Sequence, residues 1–315
     1  IGAGLAVARI ARPAPAPIHV TVTPTPTVTP VPTPVDEATL FRQPLSAGCA
    51  TAQSVWITTN GGALLRYDGS TWSTPDTTLR SLTNVACTAT QVYAVGLVGT
   101  FVVIDEATRQ IQSTAITIDD LFGVAPVGDG ALMVGSAGAV FILAGGNIQP
   151  YAAGVTEDLR DVVAFSERSA WAVGRSGITY RLDQRGWSSV GSGQAQDLHA
   201  IAALTASVAI AVGDAGTVVG YDAAWRSLTS EVDVRLRDVI VDPALWIVGD
   251  AGTLLTRGAT VGSFRRVDIG TSCDLVSVFT FGPARDLWVV GRDIAGGGVW
   301  RLRADGTLAQ RWGGC

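Results

Sequence analysis

A leucine opens a closely similar block at Leu82, Leu121, Leu159, Leu198, Leu236 and Leu275, in steps of 39, 38, 39, 38 and 39 residues, with a looser copy opening at Leu45. About a dozen residues into each block comes a β-rich stretch closed by glycine: Tyr93-Ala-Val-Gly96, Leu132-Met-Val-Gly135, Trp171-Ala-Val-Gly174, Ile210-Ala-Val-Gly213, Trp246-Ile-Val-Gly249 and Trp288-Val-Val-Gly291. The block at Leu45 carries Trp56-Ile-Thr-Thr59 in the same place. An aromatic then follows a turn in most blocks, at Trp72, Trp187, Trp225, Phe264 and Trp312.

Val, Ile, Thr and aromatics dominate these stretches, and Gly, Asp, Asn and Ser separate them, so each block reads as four short strands, here A to D. A fixed period of about 40 residues built from four strands is the signature of a blade. The chain is therefore expected to be all-β, a seven-bladed β-propeller of four-stranded antiparallel blades over 45–315. The blades fall at 45–81, 82–120, 121–158, 159–197, 198–235, 236–274 and 275–315. With 47% hydrophobic and 16% charged residues, the composition suits central strands covered on both faces by neighbouring blades. Trp56, Trp171, Trp246 and Trp288 would open strand B, and Trp72, Trp187, Trp225 and Trp312 would mark strand D, as packing between blades rather than as a stacking platform.

Residues 1–44 are a different material. An apolar run, 1–8, is followed by Arg9 and Arg12, and Pro then alternates with Thr, Val and Ala up to Pro34. Eight apolar residues are too few to cross a bilayer, which takes about 20. Residues 1–12 read either as the end of a membrane anchor or as a processed N-terminus. Residues 13–44 read as a semi-rigid polyproline-type arm that holds the propeller away from its attachment. Such an arm implies protein partners, neighbouring subunits or a membrane complex engaged by 1–44, with membrane association through the N-terminus.

Cys49 and Cys87 fall near the ends of A strands and are one repeat apart; Cys273 and Cys315 fall in connections leaving D strands, again one repeat apart. Equivalent positions in adjacent blades are neighbours, which favours the bridges Cys49–Cys87 and Cys273–Cys315. The rival pairing is Cys49–Cys315 with Cys87–Cys273, and four reduced core thiols form the third reading. Bridges place the protein outside the cytoplasm, in the periplasm or at the cell surface. Arg9 and Arg12 after the apolar run pull the other way under the positive-inside rule.

Function classes narrow mostly by exclusion. All 22 Lys+Arg positions are Arg, so a Schiff-base or P-loop lysine is ruled out, and a Lys-free, Arg- and Ala-rich chain fits a GC-rich bacterial genome. A net charge of −5 disfavours a nucleic-acid partner. No cysteine spacing suits zinc, and no catalytic, metal-binding or cofactor-binding motif is present, so no catalytic residue, metal or cofactor is expected. Asp120, Asp158, Asp197 and Asp274 stand just before the block-opening Leu; Arg160, His199 and Arg237 stand just after it, followed by Asp161 and Asp238 in two of the blocks. Arg175, Asp214 and Asp250 fall in B–C turns, on the same end of a propeller. One reading makes Arg160, Asp161, His199, Arg237, Asp238 and Arg175 an anion- or partner-binding patch on blades 4 to 6. The other makes the Asp residues turn acceptors and the Arg residues their partners between blades.

The pattern W-x-V-G-x-x-G, carried by Trp171 to Gly177, and the later D-G-x-x-W, carried by Asp68 to Trp72, with looser forms of each in the stretches Trp56 to Trp72 and Trp171 to Trp187, resemble the bacterial WD40/YVTN/BNR-like propellers, among them photosynthesis-system assembly and stability factors. The likeness spans 45–315. Arg66-Tyr-Asp68-Gly69-Ser-Thr-Trp72 is similar to an Asp-box but lacks its opening Ser and the residue between Asp and Gly, and the G-H and W-D signatures of eukaryotic WD40 repeats are missing. Such repeats specify the fold far more than the activity; the lack of a catalytic motif together with the N-terminal arm favours a non-catalytic interaction module, an extracytoplasmic accessory or assembly subunit of a membrane-attached complex or surface filament. Two other functions remain open at this level: a ligand-sensing ectodomain of a membrane receptor such as a Ser/Thr kinase, and a glycan-active propeller enzyme that would depend on Arg160, His199 and Arg237.

Overall fold

The computed structural model describes residues 36–76, 79–151, 154–257 and 263–315. The N-terminal arm that sequence analysis marks as the attachment lies almost wholly outside them. Seven four-stranded antiparallel sheets are present, and every sheet is made of four strands consecutive in the chain. Blade 4 is representative, with strand A at Leu159–Ser166, B at Ser169–Gly174, C at Thr179–Asp183 and D at Gly186–Ser189. The A strands begin at Leu45, Leu82, Leu121, Leu159, Leu198, Leu236 and, one residue before its Leu, Asp274.

The period has a steric cause. All seven block-opening leucines are 0% exposed. Six of them pair across strands A and B with the glycine that closes the second landmark, as in Leu159↔Gly174 and Leu198↔Gly213. A side chain at that glycine is excluded: a Cβ on Gly174 would lie 2.0 Å from the Asp158 carbonyl oxygen, and one on Gly213 would lie 2.0 Å from that of Asp197. Blade 1 replaces the pairing with Leu45↔Thr59, which is why its copy of the motif is looser.

The core is divided among the contacts between blades rather than within them. Trp171 and Val173 of blade 4 pack with Leu198, Ile201, Val219, Tyr221 and Trp225 of blade 5. Trp246 and Val248 of blade 6 pack likewise with Leu275, Val289 and Trp300 of blade 7. The strand-B and strand-D tryptophans thus fill blade interfaces, as an aromatic that buries a large area in a flat seam should.

The ring closes without a shared strand. At the seam, Tyr67 and Trp72 of blade 1 meet Trp288 and Trp312 of blade 7, with ring centroids 5.6 Å apart for Tyr67–Trp288 and 5.7 Å for Trp72–Trp312. Phe41, just ahead of blade 1, packs edge-on to Trp72 at 5.3 Å, and its carbonyl accepts the Gly297 N–H at 2.8 Å. The bridges are Cys49–Cys87, joining the A strands of blades 1 and 2, and Cys273–Cys315, joining the segments that follow the D strands of blades 6 and 7. No helix among the described residues is long and apolar enough to cross a membrane.

Candidate functional site: the mouth of the central channel

Every A strand carries the same irregularity. Pairing with strand B slips between the opening leucine and the second residue after it, as at Leu82/Asn84, Leu159/Asp161 and Leu236/Asp238, leaving the residue between as a β-bulge. A bulge turns two successive side chains toward one side of a strand that would otherwise alternate. The seven bulged residues, Ser46, Thr83, Phe122, Arg160, His199, Arg237 and Val276, all line one central channel of about 670 Å³.

The next residue forms a second tier: Asn84, Asp161, Asp238 and Ser277 also line the channel. Here polar side chains solve an edge problem, because the channel side of each A strand has backbone N–H groups with no neighbouring strand. Asp161 Oδ2 accepts the Ile201 N–H of blade 5 at 2.9 Å, and Asp238 Oδ2 accepts the Val278 N–H of blade 7 at 2.9 Å. Ser277 Oγ accepts the Gly48 N–H at 3.2 Å and ties blade 7 to blade 1.

Burial disfavours the charge on both carboxyls. Asp161 is pushed up to about 7, by desolvation first and then by the charge of Asp238; Asp238 is pushed up to about 6, by desolvation. Backbone N–H donors oppose both shifts without cancelling them. A carboxyl that binds its proton more tightly folded than unfolded lends stability at low pH and loses it as pH rises through the folded value. Unfolding free energy should therefore fall between about pH 5 and pH 8, by on the order of 1–3 kcal/mol after allowing for the open channel. Urea titrations at the two pH values check this, with an Asp161→Asn/Asp238→Asn double variant expected to flatten the trend. Stability that rises over that range in the wild type and not in the variant would contradict it.

Above this tier the aspartates that stand ahead of four of the leucines act as turn acceptors. Asp120, Asp158, Asp197 and Asp274 accept the backbone N–H groups of Val98, Ala137, Ser176 and Ala251, at 2.8, 2.9, 2.8 and 3.3 Å. Those four donors hold left-handed backbone, with φ of 53°, 52°, 53° and 53°, which an accepting side chain helps fix. Blade 5 departs from the rule: Arg235 replaces the aspartate, and its Nε binds Asp214 Oδ1 at 2.7 Å. The Asp-box-like turn of blade 1 has the same use, with Asp68 Oδ1 accepting the N–H groups of Thr71 and Ser70 at 2.8 and 2.9 Å.

The candidate residues separate into two groups. Arg160, Asp161, His199, Arg237 and Asp238 meet in the channel. Arg175 does not: it reaches Asp158 and Asp197 at 3.4 and 3.9 Å with a side chain 58% exposed, ion pairs that contribute little. His199 Nε2 lies 2.8 Å from Asp214 Oδ1. Burial raises the pKa of Asp214, but hydrogen bonds from His199 and Arg235 outweigh it and hold the carboxyl below its usual range. Arg237 binds Asp250 through Nε and Asp274 Oδ2 through Nη2, the latter at 3.3 Å. Arg160 instead lies over the Phe122 ring at 4.8 Å, and its buried Nε has no hydrogen-bond partner among the described residues.

Sequence reasoning missed Arg292. It lines the same channel and donates from Nη1 to the Leu45 carbonyl at 3.2 Å. Desolvation, and then the charge of Arg237, lower its pKa. The signal was available, since Arg292 occupies the position after the landmark glycine that holds Arg175, Asp214 and Asp250 in blades 4 to 6. Also missed was an apolar sector beside the mouth: Leu97 and Val98 in the B–C turn of blade 2 are 37% and 40% exposed, and Ile118 in the connection to blade 3 is 78% exposed. Among the described residues no group of three or more His, Cys, Asp or Glu is placed to hold a metal.

No family model matches the chain, and no curated protein matches it. Solved structures with the same fold are numerous. YCF48 from Cyanidioschyzon merolae is 14% identical over 84% of this chain and 97% of that one, with a TM-score of 0.66. A structure of YCF48 bound to D1 peptide is 15% identical over 84% and 95%, with a TM-score of 0.67. The WD40 β-propeller domain of Doa1 is 11% identical over 85% and 96%, with a TM-score of 0.73. At these identities the likeness establishes the architecture: the chain is a seven-bladed β-propeller of four-stranded antiparallel blades, structurally akin to YCF48 and to WD40 propellers.

Proposed function

We propose that this propeller is a non-catalytic interaction module that captures a segment of a partner protein on the ring face carrying the B–C and D–A turns. The observation that carries this reading is the exposed apolar sector Leu97, Val98 and Ile118, set beside the channel mouth that also presents Phe122 and Arg160. Large apolar side chains grouped next to a rimmed depression suit partner contact. Support comes from similar folds, one of them solved with a D1 peptide bound. Two bridges suit work outside the cytoplasm, in the periplasm or at the cell surface. In this reading residues 1–44 tether the propeller to a membrane-attached complex or to neighbouring subunits of a filament.

Photocrosslinking tests the face. A photoreactive residue at Ile118 should join the full-length protein to one partner chain in native membrane extracts, whereas one at Leu204, in the A–B hairpin of blade 5 on the opposite face, should not. A Leu97→Asp/Ile118→Asp variant should lose about 10-fold or more in capture, an energy of about 1.4 kcal/mol, while melting as the wild type does. Equal crosslinking from both faces, or a protein that stays a lone monomer in the extract, would sink the reading.

A further inference from the structure

The channel itself holds more charge than the fold uses. Three guanidiniums from blades 4, 6 and 7 line it: Arg160, Arg237 and Arg292. Arg237 is engaged by Asp250 and Asp274. No carboxylate lies within ion-pair reach of Arg160 or Arg292 among the described residues. Arg160 leaves a buried Nε unmatched. Arg292 has a backbone carbonyl as its acceptor. An unsatisfied buried donor on a cation is costly, and an oxyanion offering in-plane acceptors is its natural partner.

The rest of the wall narrows the class of anion. Phe122, Val124, Val239 and Val276 are interleaved with the arginines. They give a carbon skeleton something to lie against, which a bare phosphate would not use. The carboxyls in the channel wall that oppose an anion are Asp161 and Asp238, and each has its negative charge disfavoured by burial; Asp250 and Asp274, which also act on Arg292, are each ion-paired with Arg237. His199 is turned to Asp214 at 2.8 Å and adds no opposing charge. Asn84 and Ser277 supply neutral polar groups on the second tier.

We propose that the central channel is a binding site for a small multivalent carboxylate, held by the planar forks of Arg160 and Arg292 with Arg237 as a third cation, its carbon skeleton against Phe122 and Val276. A guanidinium presents two parallel N–H groups to one carboxylate, so two forks on different blades select an anion with at least two carboxylates over a monovalent one. Because Asp161 and Asp238 share the channel with the bound charge, binding takes up protons and strengthens on acidification. The site borders the partner-binding face, sharing the mouth residues Leu97, Phe122 and Arg160 with it, while Val98 and Ile118 lie outside the channel lining.

Isothermal titration of the full chain with citrate, succinate, acetate and inorganic phosphate tests this. One citrate per chain is expected, about 10-fold or more tighter than acetate or phosphate, and tighter at about pH 6 than at about pH 8. Arg160→Gln should weaken citrate about 10-fold or more and leave the melting temperature unchanged, since its guanidinium holds no carboxylate of the fold. Arg175→Gln, outside the channel, should leave citrate binding as it was. Acetate or phosphate binding as tightly as citrate, citrate binding equally to the Arg160→Gln variant, or no heat at millimolar citrate would each overturn the proposal. These outcomes are read without a partner, so loss of citrate binding with crosslinking intact rejects only the channel site, and the reverse rejects only the partner face.

Discussion

Replacing Glu106 with Ala is expected to cost about 3–5 kcal/mol of unfolding free energy, a large share of the 5–15 kcal/mol typical of a folded domain. Glu106 sits in the C–D turn of blade 2 with only 2% exposure. It accepts three donors from blade 1: the Ser54 hydroxyl at 2.8 Å, the Trp56 indole N–H at 2.8 Å and Arg66 Nη2 at 3.0 Å. Truncation strands the Arg66 guanidinium, 9% exposed, between two blades with no counter-charge. The desolvation already spent on that cation is what makes the loss large; the pair itself need not be worth as much. Glu106→Gln keeps one acceptor oxygen and should fall between the two. Equilibrium denaturation of the three proteins checks this, and a Glu106→Ala loss under about 1 kcal/mol would mean that blades 1 and 2 slide apart enough to let water reach Arg66.

Reduction of the two bridges should have a comparable effect. The cysteines are 38 and 42 residues apart, and closing loops of that length removes unfolded-chain entropy worth about 4 kcal/mol each. For a ring of this size the loss of either bridge should lower the melting temperature by about 10 °C. Melting with and without a phosphine reductant, with thiols counted after quenching, makes the comparison. Fully reduced protein that melts with the oxidised form would show that the bridges add nothing to the fold.

What could be read from the sequence is what each blade must repeat. The leucine recurs in all seven blocks, the glycine it faces in six and the strand-B tryptophan in four, so they stand out without any alignment to other proteins. The bridges were legible for the same reason: Cys49 and Cys87 occupy nearly equivalent places in neighbouring blades, and so do Cys273 and Cys315. The turn role of Asp120, Asp158, Asp197 and Asp274 was one of two readings left open, and their backbone acceptor contacts are now explicit.

Other features depended on geometry that the period does not encode. Strict alternation would send Arg160 and Asp161 to opposite faces, and only the bulge turns both to the channel. Arg175 and Arg292 share one column of the repeat. Yet Arg175 is drawn outward by Asp158 and Asp197, while Arg292 turns in toward the Leu45 carbonyl. Glu106 gave no signal, because its partners lie 40, 50 and 52 residues away in the preceding blade.

The contiguity of each sheet has a consequence for how such a chain can change over generations. A ring that borrows a strand from its first segment to finish its last blade must conserve both ends together. Here every sheet is complete in itself, and Phe41 and Gly297 bring the start of blade 1 against the last blade. A gene duplication or deletion of one whole repeat would therefore leave every remaining sheet intact, and what must form anew is the interface between the blades it brings together. For the same reason the ring should accept new termini cut at a D–A connection, with the old ends joined by a short linker, so the order of its blades in the chain is a historical accident more than a physical requirement.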